Sequence, residues 1–254
     1  MSTAESTPTV SFHSPLHFLW GVGAAITIFF MTVFLGILCI ALTLVTRASW
    51  PPDVIGRLWC RWILKLCGIR VIVEGVEHID RRRSYVIISN HLSNFDIWAT
   101  LACVPAKIRF VAKKELLRYP IFGQALALSD HIVIDRAKPE RAIEIINRQA
   151  RERIGEGFCI LFYAEGTRSR DGKVHAFKKG GASLALQTGL PIIPMSVCGT
   201  RKFLPRGSAI IRPSGRVKIV LAEPIETAGL SVAARDELTE RVRAVVVKNF
   251  VEDY

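Results

Sequence analysis

The run Ser89-Asn90-His91-Leu92-Ser93-Asn94-Phe95-Asp96 sets a histidine five positions before a carboxylate. An imidazole can take a proton from an alcohol. A carboxylate on its other ring nitrogen fixes the tautomer and stabilises the imidazolium. A second polar run, Glu165-Gly166-Thr167-Arg168, interrupts an apolar stretch and joins a hydroxyl, a guanidinium and a flexible turn. Arginine suits bidentate phosphate binding, and glycine lets backbone N–H groups approach an anion. The two runs together suggest chemistry on a phosphorylated alcohol. Lys113 and Lys114 are a third candidate, able to add charge for the same phosphate. Each has a plainer reading when taken alone. A histidine near a capping aspartate, a charged hairpin tip and a solvated lysine pair are all common.

What strengthens them is where the chain must put them. From residue 70 onward short β-branched runs alternate with helical stretches, the pattern of an α/β layer with a largely parallel sheet. Strands are expected at Val71–Val73, Tyr85–Ser89, Ile108–Val111, Ile132–Ile134, Cys159–Phe162, Ile192–Val197 and Val217–Leu221. Helices are expected near Ile97–Cys103, Ile121–Leu128, Pro139–Ile154, Lys179–Gln187 and Val232–Phe250. All three candidates then follow strands, at the carboxyl ends where such sheets bind ligands. Ser93 is the expected N-cap of the helix carrying Asp96. The length of 254 residues suits one large domain, and the expected division is a loose polar 1–14, a membrane-associated 15–68 and a catalytic 69–254.

Composition bears on the partner. Lys and Arg number 34 against 22 Asp and Glu, a net charge of +12. That surplus suits nucleic acid or anionic lipid, and a mean hydropathy of +0.30 favours lipid over nucleic acid. Phe18–Val45 is a 28-residue run without charge or proline, long enough for a bilayer core. A cleaved signal peptide does not fit, because no Lys or Arg precedes residue 46. Hydropathy leaves open whether the run spans the bilayer or dips into one leaflet. Arg47, Arg57, Arg61, Lys65 and Arg70 follow it, which orients the catalytic part to the cytoplasmic side.

After Pro51-Pro52-Asp53, a tryptophan-rich amphipathic helix to about Leu66 carries Arg57, Arg61 and Lys65 on one face. It reads as a helix on an anionic membrane surface, with a core-packing helix as the alternative. The six cysteines form no CxxC pair, and the scattered histidines form no ligand cluster, so neither disulfides nor a metal are expected.

In order and spacing the chain resembles the glycerolipid acyltransferase family typified by lysophosphatidic acid acyltransferase. The matching blocks are Asn90–Asp96; Ala112-Lys113-Lys114-Glu115-Leu116 with Pro120-Ile121-Phe122-Gly123 and Ile134-Asp135-Arg136; Glu165–Ser169 with Phe177-Lys178 and Gly180; and Leu190–Pro194. They spread across about residues 70–225. The resemblance implies transfer of a fatty acyl group from acyl-CoA or acyl carrier protein to the free hydroxyl of lysophosphatidic acid. His91 and Asp96 would be catalytic. Lys113, Lys114, Glu165, Gly166, Thr167 and Arg168 would bind substrate. No cofactor is implied, and the setting would be the cell inner membrane or another membrane. Other lysolipid acceptors, or a non-catalytic lipid-binding protein, are the alternatives. A serine hydrolase does not fit, since no serine has glycines at −2 and +2.

The chain departs from the family pattern twice. Tyr163-Ala164 replaces Phe-Pro before Glu165, restoring a backbone N–H. Ser129-Asp130-His131 stands where a glycine usually precedes the Asp-Arg pair.

Overall fold

A computed structural model of the chain describes residues 15–135, 137, 139–153, 157–208, 210–252 and 254. The expected loose segment 1–14, Arg136 of the second block and the end of the helix expected to reach Ile154 lie outside the described residues.

Two helices come first, α1 (Pro15–Thr46) and α2 (Trp50–Leu66). The seven expected strands all form: β1 (Ile69–Glu74), β2 (Tyr85–Ser89), β3 (Lys107–Lys113), β4 (Ile132–Ile134), β5 (Phe158–Tyr163), β6 (Ile192–Cys198) and β7 (Gly215–Leu221). Between and after them run α3 (Asn94–Cys103), α4 (Phe122–Leu128), α5 (Pro139–Arg153), α6 (Gly180–Thr188) and α7 (Arg235–Asn249). The strands form one sheet of order β1-β7-β6-β2-β5-β3-β4. Every neighbouring pair is parallel except β6 and β7. The central strands β2 and β6 are buried at every position, as a sheet covered on both faces requires.

Alternate strand residues feed two cores. Tyr85 and Ile87 pack with Cys60 and Ile63 of α2 and with Phe95 and Ala99 of α3. Val86 and Ile88 pack with Leu184 of α6 and with Leu238 and Val242 of α7. All six cysteines are free, and burial raises the thiol pKa of Cys67 to about 11 and of Cys159 to about 12.

α1 is long and apolar enough to cross a membrane. It meets the rest of the protein along a narrow seam that includes Gly21, Ala24, Leu35 and Cys39. Phe29, Phe30, Phe34 and Leu44 point outward, 62–68% exposed, an apolar surface that calls for a lipid or protein cover.

α2 packs into the core on one side and leaves another side exposed. Ile55, Cys60, Ile63 and Leu64 enter the core, and Asp53 takes both terminal nitrogens of the buried Arg109 at 2.7 and 3.0 Å. The outward stripe is apolar: Trp50, Val54, Leu58 and Trp62, four residues apart, are 40–54% exposed. Of the expected basic face, Arg57 is corrected here, while Arg61 and Lys65 stay exposed. Arg57 donates to Val104 O and Ala106 O at 3.0 Å each, and Arg61 to Ala102 O at 3.3 Å. These guanidiniums satisfy carbonyls at the end of α3, where cations complement the helix dipole, so Arg57 does not face head groups.

Candidate active site

β2 ends at Ser89, and the side chain of Asn90 continues it as a strand residue would. Its Nδ2 donates to Val197 O and its Oδ1 accepts Val197 N–H, both at 2.9 Å. With that residue pinned to β6, His91 and Leu92 turn and Ser93 caps α3, accepting Phe95 N–H at 3.2 Å. Asp96, in the first turn of α3, folds back over the cap. Its Oδ2 accepts Leu92 N–H at 2.6 Å and Ser93 N–H at 2.9 Å, and meets His91 Nδ1 at 2.7 Å. Its Oδ1 accepts the Thr200 hydroxyl. A fully buried carboxylate thus gathers four donors, which assigns the proton to Nδ1 of His91 and leaves Nε2 with its lone pair. The His91 side chain stays 14% exposed, enough for an alcohol to reach it.

β5 is parallel to β2 and brings Glu165–Arg168 to the same edge. Glu165 turns inward: its two oxygens accept His91 N–H at 2.9 Å and His175 N–H at 3.2 Å, while burial raises its pKa. It clamps the two turns together, and Ser169 N–H adds a bond to His91 O at 2.8 Å. Gly166 has φ +74°, and a Cβ there would lie 2.6–2.7 Å from the end of the Lys178 side chain. Arg168 is part-exposed at the rim, and Thr167 is exposed. Lys113 ends β3 and Lys114 follows it at this edge, yet each meets a carboxylate. Lys113 lies 3.5 Å from Glu115, and Lys114 bonds Asp135 at 2.5 Å. Among the described residues neither is bonded to the His91–Glu165 cluster, and no group of three or more His, Cys, Asp or Glu could hold a metal.

Three contributors were given no role in the site from sequence. Tyr163 stacks on the His91 ring, centroids 4.2 Å apart and planes 19° from parallel. Its buried hydroxyl faces Thr100 without a well-formed bond, and burial holds its pKa well above the usual tyrosine value. Thr200 follows β6, at the same carboxyl edge, and only that topological address marked it. Arg206 donates to Thr167 Oγ1 and to Arg168 O, both at 2.7 Å.

Both departures from the family pattern have structural answers. The N–H that Ala164 restores donates to Ser89 O at 2.9 Å, extending the β2–β5 ladder into the site. Asp130 takes the left-handed conformation, φ 55°, that a glycine would otherwise supply. His131 accepts Phe110 N–H on Nδ1 at 3.3 Å, and burial and the Arg109 charge lower its pKa to about 3.

His131 also lines an apolar cavity of about 280 Å³. Leu35 of α1, Trp59 of α2, Trp98 of α3 and Phe122 of α4 share its wall with Asn94, three residues beyond His91.

A family model for acyltransferases matches residues 70–198. A 1-acyl-sn-glycerol-3-phosphate acyltransferase of Limnanthes douglasii is 33% identical over 227 residues, covering 83% of this chain and 80% of the relative. One from Pseudomonas aeruginosa is 32% identical, covering 99% of this chain and 93% of its own length. The solved structure of the 1-acyl-sn-glycerophosphate (LPA) acyltransferase PlsC from Thermotoga maritima superposes with a TM-score of 0.78. It is 25% identical, over 91% of this chain and 95% of that one. The family match, the identities and the shared fold agree, and the chain belongs to the acyltransferase family of enzymes.

Proposed function

We propose that the protein transfers a fatty acyl group from an acyl thioester, acyl-CoA or acyl carrier protein, to the free hydroxyl of lysophosphatidic acid, giving phosphatidic acid. The observation that carries this reading is a His91–Asp96 pair 2.7 Å apart, clamped through Glu165 to a turn whose Arg168 projects at the rim. The names of the relatives support the acceptor.

In this reading Nε2 of His91 takes the hydroxyl proton as the acceptor oxygen attacks the thioester carbonyl. Asp96 holds Nδ1–H and stabilises the imidazolium that forms. The tetrahedral intermediate collapses with loss of the thiolate, which takes the proton back from His91, so no acyl-enzyme is needed. Arg168 binds the acceptor phosphate at the exposed end of the turn. The cavity lined by Trp59, Trp98 and Phe122 suits an acyl chain. α1 holds the enzyme in the membrane, with the apolar stripe of α2 against the lipid and the catalytic part on the cytoplasmic side.

The test is thiol release by the purified protein from acyl-CoA and from acyl carrier protein, with a panel of lysolipids. Release should require an acceptor and be fastest with lysophosphatidic acid. Release at the same rate without acceptor would overturn transfer in favour of hydrolysis.

A further inference from the structure

Three cations gather around the Glu165–Arg168 turn. Arg168 is part-exposed, Lys178 lies against Gly166, and Arg206 reaches in from the segment after β6. No ion pair compensates any of the three among the described residues. Glu165, the acid of that turn, gives both oxygens to backbone N–H groups. Positive charge held together at a rim with no protein counter-ion is a binding site for an anion.

Arg206 differs from the other two in what carries it. Leu204 O accepts the Ser93 hydroxyl at 2.8 Å, fixing one end of its segment to the cap of α3. Beyond it, Ile210 and Ile211 lie against α1 at Gly21. A Cβ there would come 2.8 Å from Ile211 O and 2.9 Å from Ile210 Cγ2. The segment therefore bridges the apolar helix and the Arg168 turn. Only Nη1 of Arg206 is used, toward Thr167 and Arg168 O, and its Nε and Nη2 make no hydrogen bond among the described residues.

We propose that Arg206 is a second guanidinium for the acceptor's phosphate: Nη1 braces the Thr167–Arg168 turn while Nε and Nη2 bind the phosphate oxygens. This rests on the acceptor reading above and sharpens it. Two guanidiniums and an ammonium match a dianionic phosphate monoester better than a singly charged diester, so the site selects lysolipids with a terminal phosphate.

The test is steady-state kinetics of Arg206→Lys and Arg206→Ala in the full-length protein. Three acceptors are compared: lysophosphatidic acid, lysophosphatidylglycerol as a diester, and monoacylglycerol without phosphate. Arg206→Lys keeps the charge and loses the fork. It should lower kcat/KM for lysophosphatidic acid about tenfold more than for monoacylglycerol, mainly through the acceptor's KM, and narrow the monoester-over-diester preference. The thioester's KM should hold. A fall of the same size with all three acceptors would reduce Arg206 to a brace of the turn and overturn the proposal, as would no fall at all. A wild-type enzyme that used monoacylglycerol as well as lysophosphatidic acid would overturn the acceptor reading itself, and the phosphate role of Arg206 with it.

Discussion

Around Asp96 four donors converge on one buried carboxylate, whereas the three cations around Arg168 pair with no carboxylate among the described residues. The two turns lie at the same sheet edge and are joined through Glu165, yet the proposed function gives them different tasks. A general base must present one nitrogen in one tautomer, so every freedom of His91 is removed. Asp96 holds its Nδ1, Tyr163 stacks on its ring, and Glu165 and Ser169 hold its backbone. A site for a phosphate must leave its charges unpaired until the ligand arrives. In the proposed reading chemistry is preorganised by protein contacts, and binding is held in reserve as uncompensated charge.

Substitutions can break this contrast. His91→Ala should cost about 10²–10⁴-fold in turnover with the protein still folded and lipid-bound, checked by single-turnover acyl transfer and circular dichroism. More than a tenth of wild-type activity remaining would end the assignment of His91 as base. Thr200→Val removes one of the four donors to Asp96 and should slow turnover by about tenfold, leaving both substrates' KM values in place. Arg168→Lys should act the other way round, raising the acceptor's KM about tenfold with a smaller change in kcat. An equal penalty on a phosphate-free acceptor would remove the phosphate role of Arg168. If Thr200→Val and Arg168→Lys shifted the same kinetic constant, the division of labour between the turns would be wrong.

The two sides of α2 make a second pair. Arg57 is fixed to Val104 O and Ala106 O, while Lys65 is exposed, with its ammonium 5.0 Å from the Trp62 ring. Arg57→Ala should therefore destabilise the fold by about 2 kcal/mol in denaturant titration, whereas Lys65→Ala should leave stability unchanged. Loss of vesicle flotation is expected from the outward stripe instead, with Leu58→Ser and Trp62→Ser combined.

A further effect, on pH dependence, concerns His131. Its native pKa of about 3 lies below the ordinary 6.5. As pH falls below about 6.5 the unfolded chain takes up a proton that the native state refuses until about 3. Stability contributed by the neutral ring is present above 6.5 and is lost through that window. His131→Phe should flatten the acid limb of the melting-temperature profile between those values.

Much of this was legible in the residues themselves. Strand and helix order followed from hydrophobic periodicity, because a sheet covered on both faces needs continuous apolar strands. The address of His91, Glu165 and Arg168 followed from their position after those strands. The 28-residue run announced α1 by length and charge alone. What periodicity could not reach were partners distant in sequence. Thr200 meets Asp96 across 104 positions, Asn90 meets Val197 across 107, and Arg206 meets Thr167 across 39. The basic stripe of α2 misled at Arg57 for the same reason: spacing tells which residues share a helix face, and carbonyls just beyond α3 decided that Arg57 turns inward. Local sequence determined elements and their ends, since those depend on neighbours one turn or one strand away. Only the tertiary structure decided which lone pairs and charges were already satisfied, because that depends on what the fold brings alongside.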